Sequence, residues 1–226
     1  MTNRVTISVD VVSDVVCPWC YIGKKRLESA VAALPEIDVE IRWRPYQLDP
    51  SIPRGGMDRR AYMVGKFGSE ERVRQMHASI MPLGEAEGIH FAFEDIKVAA
   101  NTLDAHRVIR WAGGQGAGVQ NVLVARLFAM NFEEGRDIGD HATLVEAAAG
   151  AGMDVAVVRS LLPSDADVVA VEGEIATASR MGIRGVPCFL IEGKYAVMGA
   201  QDVSALADAL SQVAAAKARG EFETAG

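Results

Sequence analysis

The chain has 226 residues, of which half are hydrophobic, and 23 basic against 30 acidic residues give a formal net charge of −7. Such a composition supports an ordinary buried core and excludes wholesale disorder. The acidic excess argues against nucleic acid or an anionic membrane as the main partner.

The N-terminal segment MTNRVTISVDVV alternates polar and apolar residues and has no basic patch followed by a continuous apolar run. We therefore expect neither a secretory signal peptide nor a membrane span, and we predict a cytoplasmic protein. Cytoplasmic thiols stay mostly reduced, so the three cysteines do not predict a structural disulfide framework. A close thiol pair in that compartment indicates catalysis, redox sensing or metal binding.

The first 45 residues predict a β-α-β unit. Apolar residues alternate from Val5 to Val11 and again over 37–45, which is the period of a strand. Between them, the segment from Pro18 to Pro35 carries apolar residues at helical spacing. This order predicts two parallel strands joined by a right-handed crossover helix.

The middle of the chain, roughly 57–182, predicts helices, with one brief extended stretch at 89–93. Predicted helical segments run from Ser69 to Gly88 with a bend near Pro82, from Asn101 to the glycines at 113–114, and over 119–133, 141–150, 154–162 and 165–181. The glycine-rich run 113–121 follows a helix and lacks a GK[ST] continuation, so it predicts a connector, not a phosphate loop.

The C-terminal part changes pattern again. The sequence CFLIE-GK-YAVMG predicts a β-hairpin with a Gly-Lys turn, and Asp202 is placed to cap a final helix. The fold class predicted is therefore α/β, a thioredoxin-like fold with a large all-α insertion between β-α-β and β-β-α halves. Residues 1–50 and 183–226 form the predicted discontinuous thioredoxin-like domain, and 51–182 the inserted helical domain.

The motif 17-CPWC-20 is the strongest functional signal. If the helix begins at Pro18, Cys17 is its N-cap, and the helix dipole favours the thiolate of Cys17. Cys20, one turn further, lies within reach and faces more inward. An accessible attacking sulfur beside a shielded resolving sulfur is what thiol–disulfide exchange requires.

A zinc site is the alternative interpretation of this motif. A closed zinc site needs four ligands, and the chain has no second CxxC pair, although Cys188 and His106 could in principle complete one. The strand-CPxC-helix context favours catalysis, so we predict no bound metal and no cofactor beyond the redox-active pair.

The tripeptide 186-VPC-188 supplies the second half of the predicted site. Pro187 lacks an amide, which places it at the start of a strand and is compatible with a cis peptide bond. The main chain of Val186 would then face the thiols and could pair with an extended substrate. An ordinary trans loop proline is the alternative.

Several of these motifs together resemble the DsbA family of thiol oxidoreductases. They are DVVCPWCYIGKKRLE, 101-NTLDAH-106, GIRGVPCFLI and 199-GAQ-201, and they resemble in particular its FrnE-like branch of polyketide-biosynthesis dithiol–disulfide isomerases. The resemblance implies a thioredoxin fold with a helical insert, Cys17 and Cys20 as the redox pair, and Pro187 as a cis-proline. Cys188 departs from the bulky apolar residue that is usual there. It is either a small core residue or a third thiol beside the active site.

Four further residues are assigned supporting roles, each with a structural alternative. The resemblance implies that His106 faces the redox site, although a buried structural histidine is equally expected. Asp14 is a turn residue or a proton acceptor for Cys20, and the turn role is preferred. Pro18 has the structural role of starting the helix, and Trp19 is predicted to be exposed beside the thiols, either as a docking surface for an apolar substrate or only as a cover for them.

The leading functional prediction is a dithiol–disulfide oxidoreductase or isomerase that works through a mixed disulfide on protein or small-molecule thiols. A glutathione-dependent isomerase or transferase of the 2-hydroxychromene-2-carboxylate isomerase or kappa class is the alternative, with glutathione as co-substrate. A zinc-clipped or chaperone-like binding module is the third. The insert's helices could also pair in a homodimer. The motif does not give the direction of electron flow, the substrate or the electron partner.

Overall fold

The computed structural model describes residues 4–116 and 118–222. Residue 117 of the glycine-rich connector and the outer ends of the predicted ranges 1–50 and 183–226 lie outside the described residues. None of the described helices is long and apolar enough to cross a lipid bilayer.

The described chain contains six strands and nine helices. The strands are β1 (Val5–Ser13), β2 (Ile37–Pro45), β3 (Met57–Asp58), β4 (Val98–Ala99), β5 (Cys188–Ile191) and β6 (Tyr195–Met198). The helices are α1 (Pro18–Ala32), α2 (Arg59–Phe67), α3 (Glu70–Ala86), α4 (Leu103–Gly113), α5 (Val119–Phe132), α6 (His141–Gly150), α7 (Val155–Leu161), α8 (Val168–Arg180) and α9 (Val203–Ala218).

The main sheet has the strand order β2-β1-β5-β6. β1 and β2 run parallel from the pair Val5–Ile37 to the pair Ser13–Pro45, with α1 as the crossover between them. β5 pairs antiparallel with β1 and with β6. This β-α-β and β-β-α arrangement confirms the predicted α/β thioredoxin-like fold.

The hairpin between β5 and β6 turns one residue earlier than predicted. Glu192 and Gly193 have φ values of 52° and 65°, so the turn is centred on Glu-Gly and not on Gly-Lys. Glu192 tolerates this conformation because its carboxylate accepts the Ser8 N–H at 2.6 Å and pairs with Lys217 at 2.9 Å. A long-range anchor of this kind cannot be read from the turn sequence.

The helical insert agrees with the predicted segments in most places. Ser69 caps α3 by accepting the Arg72 N–H, and Pro82 lies inside that helix. The predicted extended stretch at 89–93 is not a strand; instead the N–H of Ala92 donates to the Phe132 carbonyl at 2.7 Å. Helix α2 and the two-residue strands β3 and β4 were not predicted.

The insert packs against the sheet and α1 through one continuous core, to which β1, α1, β2 and the insert all contribute buried side chains. Gln120 of α5 closes the open edge of β2, because its Oε1 accepts the Trp43 N–H at 3.0 Å. Tyr21 of α1 stacks on Phe128 at 4.9 Å and donates its hydroxyl to Glu133. The boundaries 1–50, 51–182 and 183–226 therefore remain a prediction about domains that share a core.

Arg107 stabilises the helical insert through buried hydrogen bonds. Its side chain is fully buried and donates to the Asp104 carboxylate at 2.7 Å. The same guanidinium donates to four carbonyls in the loop before α8, those of Leu161, Leu162, Ser164 and Ala166. Because Arg107 follows His106 on α4, this network also holds the helix that carries His106.

Candidate redox site

Cys17 occupies the N-cap of α1, as the motif predicts. Its backbone is extended, with φ −94° and ψ 113°, and Pro18 opens the helix. Its N–H donates to the Asp14 carbonyl at 3.0 Å, which closes a tight turn between β1 and α1. The helix therefore starts at Cys17, although the side chain of Cys17 accepts no capping hydrogen bond from the first-turn amides.

The two thiols are both free and both enclosed by the protein. Cys17 is 4% exposed and Cys20 is 1% exposed, so Cys17 is the more exposed of the two, as expected. Its sulfur is nevertheless less accessible than expected for an attacking thiol. The Val186 carbonyl contributes to this cover, because it accepts a hydrogen bond from Cys17 Sγ at 3.8 Å. Trp19, between the cysteines, is 43% exposed, as predicted.

Burial raises the pKa of the Cys20 thiol well above its ordinary value, and the hydrogen bond and charge of Cys17 raise it further. The Ser13 hydroxyl and the main chain of Asp14 act in the opposite direction by favouring the Cys20 thiolate. Ser13 Oγ is buried, and no hydrogen bond of ordinary length reaches it among the described residues, so the Cys20 sulfur is the group it can serve. In the reduced pair, Cys20 is thus the sulfur that keeps its proton.

The loop before β5 faces this pair. The Val186–Pro187 peptide bond is cis, and the Pro187 carbonyl accepts the Gly199 N–H at 2.8 Å. On the other side, α1 approaches Pro187 at Gly23. A Cβ atom added there would lie 2.9 Å from Pro187 Cγ and 3.1 Å from Phe189 Cζ. Only a glycine allows α1 and the Pro187 loop to lie this close.

Asp14 and His106 meet where β1 and β2 end, and Asp14 lies three residues before Cys17 in the chain. The Asp14 carboxylate is 1% exposed and accepts the Leu48 N–H through Oδ2 at 2.8 Å. Nε2 of His106 lies 2.8 Å from the Tyr46 carbonyl and 3.4 Å from Asp14 Oδ1. A carbonyl can only accept, so Nε2 is the donor nitrogen. His106 thus ties the insert to the ends of β1 and β2.

Asn101 precedes Thr102, the N-cap of α4, and supplies the side-chain hydrogen bond that Thr102 does not make. Its Oδ1 accepts the Leu103 N–H at 2.9 Å at the start of α4, while its Nδ2 donates to the Ile52 carbonyl at 2.6 Å. The site also contains three contributors that the sequence analysis missed, namely Ser13, Gly23 and Tyr46. Gly23 and Tyr46 act on residues that are distant in the chain, whereas Ser13 acts on Cys20, and no local pattern marks any of the three.

Cys188 is completely buried in a small apolar cluster with Val12, Ala178 and Ile183, against which Tyr46 and Val186 also pack. Burial raises the pKa of its thiol. These surroundings fit a core residue, and they disfavour a nucleophile, which needs thiolate character and access.

We predict that mild oxidation of the protein forms a single disulfide between Cys17 and Cys20 and leaves Cys188 as a thiol. Peptide mapping by mass spectrometry after alkylation checks this, with denatured protein as the control in which all three cysteines react. A bond from Cys188 to either partner would instead establish a three-thiol site.

Whether the CxxC pair could belong to a metal site depends on the side chains around it. Over residues 4–116 and 118–222, no group of three or more histidine, cysteine, aspartate or glutamate side chains is arranged to hold a metal ion. Within the described residues, Cys188 and His106 thus form no such group with the CxxC pair, and the absence of a bound metal stays a prediction.

A profile of the DSBA-like thioredoxin domain matches residues 8–211. The crystal structure of a probable DsbA oxidoreductase from Streptomyces coelicolor aligns with a TM-score of 0.83 and 33% identity, and covers 91% of this chain and 89% of that chain.

Two more distant structures share the fold. A 2-hydroxychromene-2-carboxylate isomerase aligns with a TM-score of 0.68 and 16% identity, over 97% of this chain and 100% of that chain. The cytosolic disulfide reductase DsbM from Pseudomonas aeruginosa, solved with GSH, aligns with a TM-score of 0.59 and 18% identity, over 94% and 99%. The FrnE-like branch is not singled out by these matches and stays a prediction. The chain itself belongs to the DSBA-like thioredoxin domain family.

Proposed function

We propose that the protein is a thiol–disulfide oxidoreductase whose redox pair is Cys17 and Cys20. The observation that carries the proposal is the placement of Cys17 at the N-cap of α1, with Cys20 buried one turn further. One sulfur is thereby activated by the helix start, and the other keeps its proton until it is needed.

The reaction proceeds through a mixed disulfide. The Cys17 thiolate attacks one sulfur of a substrate disulfide, forms a Cys17–substrate bond and releases the other sulfur as a thiolate that takes up a proton. Cys20 then loses its proton and attacks Cys17, which releases the second substrate thiol. Two electrons pass from the dithiol to the substrate, and the protein retains a Cys17–Cys20 disulfide. The reverse sequence oxidises a substrate dithiol.

The substrate is proposed to be a protein or small molecule that presents a thiol or disulfide on an extended, partly apolar segment. Trp19, Leu48 and Met198 are each more than 40% exposed and lie on three segments that border the redox pair. The N–H of Val186 forms no hydrogen bond within the described chain, so it is available to pair with an extended substrate.

The direction of electron flow follows from the reduction potential of the pair. A value near about −270 mV would make the protein a reductant, and one near about −120 mV a strong oxidant. Equilibration of the Cys17–Cys20 couple against glutathione buffers measures it.

Glutathione-dependent isomerisation is the second candidate, favoured by the fold shared with the 2-hydroxychromene-2-carboxylate isomerase. A resolving thiol at Cys20 has no part in that chemistry, so the redox reaction is preferred. Glutathione remains a candidate co-substrate, since DsbM was solved with GSH. It could reduce the Cys17–Cys20 disulfide through a Cys17–glutathione intermediate.

Trapping tests the proposal. A Cys20→Ser variant cannot resolve the mixed disulfide, so we expect it to accumulate a covalent adduct with an oxidised peptide or with oxidised glutathione, detected by intact mass. Cys17→Ser should form no adduct and should lose disulfide-reductase activity toward insulin, because the attacking sulfur is gone.

Cys188→Ser is the matched control, because it removes a thiol outside the proposed pair and should behave like the unmodified protein. The proposal fails if Cys17→Ser keeps its activity, or if Cys20→Ser turns over without an adduct. Isomerisation of a 2-hydroxychromene-2-carboxylate with glutathione by the Cys20→Ser variant would favour the second candidate instead.

The cellular setting is proposed to be the cytoplasm, in line with the cytosolic DsbM that shares the fold. Cell fractionation tests this proposal. Pairing of two chains through helices of the insert likewise stays a prediction, and sedimentation of the purified protein tests it.

A further inference from the structure

A cavity of about 390 Å³ lies in the insert between α2, α3 and the segment that precedes β4. Its volume falls within the range of small-molecule sites. The cavity shares no lining residue with the Cys17–Cys20 pair, and the redox reaction proposed above makes no use of it.

His77 is the buried polar group of this cavity. The side chain stacks on Phe93, with 4.2 Å between ring centroids and 8° between planes, and Phe93 stacks in turn on Phe91 at 4.7 Å. The residue is 6% exposed, and its Nε2 has no hydrogen-bond partner in the described chain. A buried ring nitrogen without a partner is costly, unless a ligand or solvent molecule satisfies it.

Arg59 supplies a positive charge to the same cavity. Its Nη1 donates to the Phe93 carbonyl at 3.2 Å, and no carboxylate lies within ion-pair distance of the guanidinium over the described ranges. Burial lowers the pKa of His77 and the charge of Arg59 lowers it further, while Glu94, whose Oε1 lies 3.9 Å from His77 Nδ1, acts in the opposite direction. Arg59 and His77 are therefore close neighbours, with donor groups left over for an anion.

The two other arginines at the cavity are paired with carboxylates, and the lysine donates to a main-chain carbonyl and keeps its charge. Arg60 is bridged to Glu70, and Arg74 pairs with Glu71 at 2.5 Å. Lys97 donates to the main-chain carbonyl of Glu94 at 2.6 Å.

Neither carboxylate at the cavity forms an ion pair with Arg59, although the charge of Glu94 acts on the guanidinium from a distance. Asp58 caps α2 by accepting the Ala61 N–H at 2.7 Å, and the Glu94 side chain is 90% exposed. The remaining lining is largely apolar and includes Met63, Val64, Val73 and Ile96. The cavity thus combines one available guanidinium, one unpaired imidazole nitrogen and apolar walls.

We propose that this cavity is a second binding site, for a small molecule with one carboxylate or phosphate group on an apolar body. The anion pairs with the Arg59 guanidinium, next to the largely buried ring of His77. The apolar body contacts Met63, Val64 and Ile96. This division of one charged contact and apolar walls is typical of small-molecule sites.

NMR of the histidine ring signals in the full chain tests the site with three probes, benzoate, phenyl phosphate and the neutral benzyl alcohol. We expect at least one anion to shift the His77 signal in a saturable way, with benzyl alcohol binding more weakly. Tighter binding of benzoate assigns a carboxylate ligand, and tighter binding of phenyl phosphate assigns a phosphate ligand. Either result supports the proposal.

Arg59→Gln should weaken binding of the preferred anion about tenfold or more, because a charge-assisted hydrogen bond is lost. Arg72→Gln is the matched control, since Arg72 is exposed on α3, lies outside the cavity and undergoes the same charge change. If Arg59→Gln does not fold, Arg59→Lys replaces it, and loss of the guanidinium fork should weaken binding several-fold.

The proposal is overturned if neither anion shifts His77 at concentrations up to about 10 mM. Equal binding of benzyl alcohol and benzoate, or unchanged affinity in the Arg59 variant, would overturn it as well. Disulfide-reductase activity of the Arg59 variant should remain unchanged, so failure here is distinguishable from failure of the redox function.

Discussion

Resolution of a mixed disulfide on Cys17 is expected to accelerate about tenfold for each pH unit between roughly pH 6 and pH 8. The attacking group is the Cys20 thiolate, and burial raises the pKa of that thiol well above its ordinary value. Once Cys17 is bonded to substrate, its own hydrogen bond and charge no longer raise the pKa of Cys20, but burial still does. Since only the deprotonated form reacts, raising the pH increases the reactive fraction.

Stopped-flow reaction with Ellman's reagent measures this step. The first thionitrobenzoate is released when Cys17 attacks, and the second when Cys20 resolves the adduct, so the second phase reports on Cys20. Ser13→Ala removes a hydroxyl that favours the Cys20 thiolate, and it should slow the second phase at pH 7 and move its pH profile upward. Ser29→Ala is the control, because it removes an exposed hydroxyl from α1, the helix that carries Cys20.

A second phase with the same rate at pH 6 and pH 8 would contradict the prediction. Cys20 would then already be a thiolate at neutral pH, and burial would not be the factor that controls it. An upward shift in Ser13→Ala, without a shift in Ser29→Ala, would show that the buried hydroxyl and not the general loss of a polar group sets the profile.

The sheet could be predicted from the sequence because its signals are local. Alternation over Val5–Ser13 and Ile37–Pro45 marks two strands, and Pro18 after Cys17 marks a helix start. Most helices of the insert begin at a recognisable capping residue, such as Ser69, Asp140 or Asp154, each of which accepts a first-turn N–H.

Elements that depend on tertiary contacts escaped prediction. The apolar residues at 89–93 alternate like a strand, yet Phe91 and Phe93 are held by aromatic stacking and not by a β ladder. Helix α2 has local signals, because Asp58 is its N-cap and Gly68 has a left-handed conformation after its end. However, none of its residues is buried, so it lacks a buried apolar face. Short strands such as β3 form only because the fold brings Met57 opposite Ala99.

The residues of the redox site likewise divide into those that the local sequence predicts and those whose contacts only the fold brings together. Cys17, Cys20 and Pro187 follow from sequence position, since a helix start and a strand start are local features. The contact of His106 with Tyr46 and Asp14 joins three segments that are distant in the chain, and only the fold reveals it. Asp14 combines the predicted turn with a buried carboxylate that the sequence could not place.

Gly23→Ala is expected to destabilise the protein by about 1–2 kcal/mol, although alanine is the better helix former. Gly23 is buried in α1, and an added Cβ would lie 2.9 Å from the Pro187 ring and 3.1 Å from the Phe189 ring. Neither ring can move easily, because Phe189 is 1% exposed and the Pro187 carbonyl is held by the Gly199 N–H at 2.8 Å. Overpacking of this kind typically costs about 1–3 kcal/mol, against a propensity gain of up to about 1 kcal/mol.

Gly173→Ala is the matched control, because Gly173 lies in α8 and an added Cβ would meet no atom within 4 Å. That change should stabilise the protein by up to about 1 kcal/mol, so the two identical substitutions should have opposite effects in urea unfolding. Displacement of Pro187 would also move the Val186 carbonyl away from Cys17 Sγ, now 3.8 Å apart, and change the rate of the first Ellman phase. If Gly23→Ala were as stabilising as Gly173→Ala and left that rate unchanged, the close approach of α1 to the Pro187 loop would not be what positions Cys17 against Val186.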